Sequence, residues 1–261
     1  MSIPLSLSGK AALISGGSRG IGAAIVRMFR AAGARVVFTY NKAKSQADAL
    51  ARECGEADCI PIAGTLDNPE AARALVAEAV KHFGRPDILV ANHGIWASQD
   101  VPIDQMTDQQ WRSTLSTNLD AVFGLVKHSV AQMKKQPRNG SAPAGHIVLI
   151  SSTAGQRGEA FHTDYAASKG ALISMVKGLC TELASSRIYV NCVAPGWVDT
   201  DMSRPAIDDP RSSDEILRTI PLGRVGRPEE IAAPVLFLCT PHAGFITGEV
   251  FNVNGGAVLT G

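Results

Sequence analysis

Seven short apolar runs constrain what this chain can fold into: AALIS (11–15), RVVFTY (35–40), CIPIA (59–63), DILVAN (87–92), HIVLIS (146–151), YVNCVA (189–194) and EVFNVN (249–254). Most are continuously apolar rather than alternating, as expected of strands covered on both faces. Between them lie helical stretches at 21–32, 45–54, 69–83, a long one near 107–135, 163–184 and 228–239. Pro69 and Pro228 stand where a helix would begin, a place suited to a residue without an N–H, and Gly33 and Gly84 stand where helices would stop. Strands alternating with helices predict an α/β chain: a doubly wound parallel sheet of about seven strands with helices on both faces. No composition break marks a linker and no fixed period repeats, so one domain over 1–261 is expected.

Composition narrows the function classes. The chain has 25 Lys and Arg against 24 Asp and Glu, which leaves no basic footprint for nucleic acid or for an anionic membrane. Five cysteines without a C-x-x-C pair read as small core hydrophobes of a reducing compartment. The six histidines lack ligand spacing, so no metal site is expected. The opening MSIPLSLSGKAALIS has neither the basic region nor the long apolar stretch of a signal, and the expectation is a cytoplasmic enzyme. Two segments look irregular: PRNGSAPAG (137–145), a turn-rich surface loop, and 201–220, which is either a plain connection or a lid over a site.

The first strand runs into SGGSRGIGAAIV, where Gly16, Gly20 and Gly22 open a helix. Glycines there let the backbone approach a pyrophosphate, which the free N–H groups and dipole of a helix N-terminus favour. Dinucleotide folds often carry an acid about 20 residues further on for the adenosine ribose. Here the second strand ends in Thr39, Tyr40, Asn41 and Lys42, with no carboxylate, and Arg19 lies in the glycine turn. A missing acid with cations in its place suits a 2′-phosphate, hence NADP(H) over NAD(H). Further on, TDYAASKGALISMV places Tyr165 and Lys169 four residues apart, on one helical face.

Gly16-x-x-x-Gly20-x-Gly22, Asn118, Ser152, Tyr165-A-A-S-Lys169 and Pro195-Gly196 occur in one order, and over essentially its whole length the chain resembles the short-chain dehydrogenase/reductase family. The end, PLGRVGRPEEIAAPVLFL…ITGEVFNVNGG, is similar to the branch containing 3-oxoacyl-[acyl-carrier-protein] reductases. The resemblance implies a Rossmann-type domain, with dinucleotide binding in about 1–150 and substrate and nicotinamide loops in about 151–220. It implies a tetrad. Tyr165 is the general acid; Lys169 bonds the nicotinamide ribose and, with oxidised nicotinamide, lowers the phenol pKa. Ser152 steadies the carbonyl oxygen, and Asn118 bends its helix and holds a relay water. Ser18, Ile21, Tyr40, Asn41, Leu66, Val198 and Thr200 join the cofactor contacts on the same ground, Thr200 toward the nicotinamide carboxamide.

Two departures stand out. Where the family usually has N-N-A-G, this chain has Ala91-Asn92-His93-Gly94; Asn92 and Gly94 keep the turn, and His93 is either a packing substitution or a polar group of the site. Where the family commonly has an Asp at the adenine, this chain has Thr65. Trp96, Phe161, His162, Trp197 and Met202 are candidate pocket walls and suggest an apolar or neutral carbonyl substrate. A 3-oxoacyl thioester is the leading substrate class; a sugar, polyol, steroid or xenobiotic alcohol is the alternative, and a non-catalytic dinucleotide sensor is disfavoured by the tetrad. Lys134, Lys135, Arg138 and Arg187 either dock an acidic acyl carrier protein or merely solvate helix ends. The resemblance also implies a homotetramer.

Overall fold

The computed structural model describes residues 4–137, 140 and 142–259. The apolar runs form β1 (Ala11–Ser15), β2 (Arg35–Tyr40), β3 (Cys59–Ala63), β4 (Ile88–Ala91), β5 (Gly145–Ile150), β6 (Ile188–Pro195) and β7 (Val250–Val253). They pair in parallel in the order β3-β2-β1-β4-β5-β6-β7. The order reverses between β1 and β4, and in open α/β sheets the crevice beyond the carboxyl ends at that point takes the ligand.

Helices α1 (Gly20–Ala31), α2 (Lys44–Cys54) and α10 (Pro228–Leu238) cover one face; α3 (Pro69–Phe83), α5 (Ala121–Met133) and α7 (Thr163–Leu183) cover the other. Successive strand residues divide between them. Ile14, Phe38, Val90 and Val148 pack into the first core, while Leu13, Val37, Leu89 and Leu149 pack into the second. Period-2 burial on both faces is why these runs read as continuously apolar. Helix α3 begins and ends as its sequence predicts: Asn68 accepts from the N–H of Ala71 at 2.8 Å, Pro69 follows, and Gly84 closes the helix at φ 75°.

The long helix expected near 107–135 is three pieces: α4 (Asp108–Leu115), a π-turn (Ser116–Asp120) and α5. The extra residue of the π-turn is held by Asn118, which is fully buried. Its carboxamide accepts from the N–H of Ile95 at 2.8 Å and donates to the carbonyl of Ile95 at 2.9 Å and to Ser168 Oγ at 3.2 Å. The segment 201–220, read as irregular, contains α8 (Arg204–Ile207) and α9 (Pro210–Arg218). Asp209 caps α9 ahead of Pro210, and Ile216 buries its apolar side.

Of the basic group, Arg138 lies outside the described residues. Lys134 and Lys135 follow α5 and Arg187 precedes β6, so all three sit where strands begin, about 20 Å from where β5 ends. That is the edge of the sheet away from the crevice. All five cysteines are free. Among the described residues, no helix is long and apolar enough to cross a membrane.

Helices α3 and α5 meet through Gly124, where a Cβ would stand 2.6 Å from Pro69 Cα and 2.8 Å from Ala72 Cβ. Gly124→Ala therefore forces the helices apart and is expected to lower unfolding stability by about 1–3 kcal/mol. Urea denaturation of the two proteins measures this directly.

Candidate active site

The glycine turn after β1 is fastened from three sides. The N–H groups of Gly16 and Gly17 donate to Thr39 Oγ1 (2.9 Å) and to the Thr39 carbonyl (2.8 Å). Asn92 Nδ2, at the end of β4, donates to the carbonyls of Ser15 (3.2 Å) and Gly16 (3.0 Å). A Cβ on Gly22 would lie 2.0 Å from the Gly16 carbonyl oxygen, so only glycine lets the turn close on the helix. Helix α1 begins at Gly20 with no side-chain cap, leaving its first N–H groups to an anion in the crevice.

The adenosine-side candidates are more scattered. Arg19 pairs with Asp201 at 3.4 Å, an exposed bridge that an incoming phosphate can exchange. Lys42 and Asn41 are exposed, and Thr65 Oγ1 donates to Asn41 Oδ1 at 3.3 Å, joining the loops after β3 and β2. Tyr40 packs partly against the first core, the Leu66 side chain is buried in the second, and Ser18 is buried beneath the turn. These six residues do not line the main cavity. At the position where the resemblance leads one to expect a carboxylate, the structure has this neutral Thr65–Asn41 contact.

A cavity of about 220 Å³ opens at the carboxyl ends of the strands. Gly16, Arg19, Gly20, Ile21 and Gly22 line it at the start of α1, and Asn92, Gly94, Pro195, Gly196, Val198 and Thr200 line it beyond the ends of β4 and β6. Ser152, Tyr165 and Lys169 converge in it. Ser152 caps α6 (Thr153–Arg157), its oxygen accepting from the N–H of Ala154 at 3.1 Å, which leaves its hydroxyl proton to donate elsewhere. Helix α6 lies so close to α7 that a Cβ on Gly155 would be 2.6 Å from the Lys169 carbonyl carbon. That contact sets Ser152 opposite Tyr165.

Lys169 is 4% exposed and donates from Nζ to the Ile150 carbonyl at 2.8 Å; burial brings its pKa down to about 8. Tyr165 is pushed up to about 12, by burial first, with a hydrogen bond to Ser152 opposing and the charge of Glu159 adding to the rise. Lys169 Nζ lies over the Tyr165 ring, 5.7 Å from its centroid, and turns to Ile150. Asn118 reaches this cluster through the Ile95 backbone and Ser168, and its side chain does not line the cavity.

Trp96, Trp197 and Met202 are cavity walls as expected. Phe161 and His162 are not. Phe161 takes a left-handed backbone at φ 64° and is 49% exposed, while His162 is buried behind Trp96 with both ring nitrogens on backbone carbonyls, Ala97 at 2.8 Å and Ala160 at 3.2 Å. Two charged residues passed over in the sequence, Arg157 and Glu159, join the wall. Glu159 Oε1 accepts from Trp96 Nε1 at 3.2 Å, a contact across 63 positions that no local pattern announces.

His93 both packs and lines the cavity: a Cβ on Gly16 would touch its Cα at 2.9 Å. Ser15 Oγ accepts from the N–H groups of Asn92 (3.0 Å) and His93 (3.3 Å), so its proton points to His93 Nδ1 at 2.7 Å. The network thereby assigns the ring proton to Nε2, which is buried on the side of the Thr117 backbone, whose carbonyl favours the protonated ring. Burial, and then the charge of Lys169, bring the imidazole down to about 4.

Residues 16–258 match the family model described as enoyl-(acyl carrier protein) reductase. The chain is 40% identical over 259 residues to the 3-oxoacyl-[acyl-carrier-protein] reductase FabG of Salmonella typhimurium, covering 98% of this chain and 100% of the relative. It is similar to a solved short-chain dehydrogenase/reductase of Brucella melitensis, titled glucose/ribitol dehydrogenase, with TM-score 0.88, 34% identity and coverage of 99% and 100%. It is also similar to a blue fluorescent protein from a metagenomic library solved with NADPH, with TM-score 0.88, 36% identity and coverage of 97% and 100%.

His93 titrates near 4 in the fold and near 6.5 once unfolded, so the unfolded chain binds the extra proton between those values. The stability that the neutral ring contributes is therefore complete above pH 6.5 and is lost as pH falls toward 4. Between pH 7 and pH 5 this loss is about 2 kcal/mol. His93→Ala is expected to flatten that part of the stability profile, as read from urea midpoints at the two pH values; an unchanged slope contradicts the assignment.

Proposed function

Because the chain belongs to the short-chain dehydrogenase/reductase family, and so is a nicotinamide-dependent oxidoreductase acting at a carbonyl or its alcohol, we propose that it reduces the ketone of a 3-oxoacyl thioester with NADPH. The observation that carries this reading is the convergence of the Ser152 hydroxyl and the Tyr165 phenol in the cavity, hydrogen-bonded to each other, with the phenol protonated at neutral pH. Two O–H donors converging on one space suit a carbonyl oxygen that gains charge. The thioester as substrate class has its support in the names of the FabG relatives, such as that of Salmonella typhimurium.

The cleft fits a dinucleotide: the glycine turn leaves no room for side chains, and the uncapped N-terminus of α1 presents N–H groups to a pyrophosphate. When bound, the cofactor supplies the hydride. Gly16, Gly20, Ile21 and Gly22 would hold the pyrophosphate, and Asn92, Lys169, Val198 and Thr200 the nicotinamide half. Ser152 orients the substrate carbonyl by hydrogen bonding, and Tyr165 passes its phenolic proton to the oxygen as charge develops there. Lys169, at about 8 and so mostly charged at pH 7, re-supplies the phenol. Asn118 braces the loop of Ile95 and Gly94 beneath Lys169.

Preference for NADPH over NADH rests on the absence of an acid at the end of β2 and on Arg19 and Lys42. A sugar or polyol substrate is the second reading, favoured by the carboxylate of Glu159 in the cavity wall. An acyl carrier protein is the proposed donor of the thioester, approaching the mouth of the cavity with Arg19 and Arg157. A homotetramer is proposed as the assembly, and Phe123, 47% exposed on α5, belongs to the apolar surface it would cover; light scattering that gives the mass of a single chain would exclude it.

Acetoacetyl-CoA is expected to drive oxidation of NADPH, with little oxidation of NADH and none with crotonyl-CoA, which would reveal an enoyl reductase instead. Tyr165→Phe is expected to cut kcat about a thousandfold while leaving NADPH affinity within about threefold. Arg19→Ala and Lys42→Ala should each raise the KM for NADPH about tenfold and leave that for NADH unchanged. Turnover retained in Tyr165→Phe would remove the mechanism.

A further inference from the structure

Glu159 stands in the cavity wall with Tyr165, Trp96 and Trp197 and is used by none of the steps above. It is not a loose surface acid. Its side chain is only 19% exposed; Oε1 accepts from Trp96 Nε1 at 3.2 Å and lies 3.7 Å from His162 Nδ1. His162 is itself fixed, stacked on Trp96 with ring centroids 4.9 Å apart and 20° between planes, and bonded to the Ala97 carbonyl. Trp96 in turn meets Trp197 edge-on at 6.0 Å. One carboxylate oxygen is therefore locked into an aromatic wall.

The other oxygen, Oε2, makes no hydrogen bond of its own among the described residues and is not among the side-chain atoms buried without a partner, so it stays open to the water of the cavity. A donor on the substrate can take the place of that water with no loss of hydrogen bonding, whereas an apolar group there displaces the water and returns nothing. Burial already pushes Glu159 upward, with Asp100 adding to the rise and His162, Trp96 and Arg157 opposing it. Arg157 is exposed at the same wall, and its charge partly offsets that of Glu159.

We propose that Glu159 is the specificity-determining residue of this cavity: Oε2 accepts a hydrogen bond from a neutral O–H or N–H group of the substrate and excludes substrates that place an anion there. The proposal rests on the reading of this cavity as the carbonyl site. The shared chemistry has two sources, the amide N–H of a thioester arm and a hydroxyl next to the ketone. A pocket that holds a polar group in wait for a donor discriminates strongly against the analogue without it.

Two matched pairs separate the sources. The first is the N-acetylcysteamine thioester of acetoacetate against the S-(2-acetoxyethyl) thioester, in which oxygen replaces N–H. The second is 1-hydroxy-2-butanone against 3-pentanone, in which methyl replaces hydroxyl. Wild type is expected to prefer the donor-bearing member of one pair about tenfold in kcat/KM, expressed in KM. Glu159→Gln, which keeps an acceptor, should retain that preference, and Glu159→Leu should abolish it with NADPH affinity intact. Should the Leu variant not fold, Glu159→Gln still decides: it is expected to raise kcat/KM for the acetoacetate anion at least fivefold, on the order expected for removing one like charge.

Equal rates within both pairs in wild type, or an unchanged preference in Glu159→Leu, overturn the role of Glu159. If thioesters are reduced without donor preference, the thioester reading stands and Glu159 falls. If only the hydroxyketone pair shows a preference that depends on Glu159 while neither thioester is turned over, Glu159 stands and the thioester reading falls.

Discussion

The buried ammonium of Lys169 is the constraint around which the site is arranged. A charge that is 4% exposed must find compensation within the protein, and it finds the Ile150 carbonyl at 2.8 Å, at the very end of β5. The Ser151 hydroxyl, one residue on, donates to the Lys169 carbonyl at 2.7 Å, so strand end and helix hold each other at two points. Their neighbours are small because they must be. A Cβ on Gly94 would come within 3.4 Å of Nζ, and one on Gly155 would collide with the Lys169 backbone. The loop after β4, the start of α6 and the middle of α7 are thereby fixed around one side chain.

This burial also orders the acidities. Free phenol and ammonium groups titrate close together, near 10 and 10.4. Here burial drives them apart, Tyr165 to about 12 and Lys169 to about 8, because it penalises opposite protonation states in the two groups. In the proposed reduction, a proton that leaves Tyr165 is replaced from a neighbour that is the stronger acid by several pKa units. Both groups still carry their protons at neutral pH, so each is able to donate.

The sheet was legible because its signal is local: each strand is a short run made apolar throughout by burial on two faces. Helix α3 was equally plain, with Asn68, Pro69 and Gly84 acting through their immediate neighbours. The π-turn is different. Hydrophobic spacing runs on through Ser116–Asp120, and what breaks the helix is the Asn118 carboxamide meeting the Ile95 backbone, 23 positions away. The family resemblance supplied the bend that periodicity did not. In 201–220 the polar composition hid α9, although Asp209 and Pro210 are the cap and first residue of a helix. For the pocket, aromatic residues were singled out by type, and type was a poor guide: Phe161 turns outward and His162 is structural, while Glu159, an ordinary acid in GQRGEAF, becomes part of the site only through Trp96.

Of the residues that resemble the family most closely, Ser152, Lys169 and Asn118 are bonded to backbone at the ends of strands and at a helix break, where moving one atom moves an element, and Tyr165 is hydrogen-bonded to Ser152. Trp96, Glu159 and His162 instead lean on one another and on the backbone of their own two loops, which hang from the ends of β4 and α6. Such a cluster can be exchanged as a unit without altering the Ile150–Lys169 contact or the glycine turn. Loops on a rigid scaffold are where selection between substrates is free to change while chemistry is retained. His93 lies on the other side of that line: bonded to Ser15, pressed against Gly16 and sensing the charge of Lys169, it ties the cofactor turn to the buried ammonium and is coupled to both. The wall at Glu159 therefore governs which carbonyl is admitted, and the buried base of the cleft governs what is done to it.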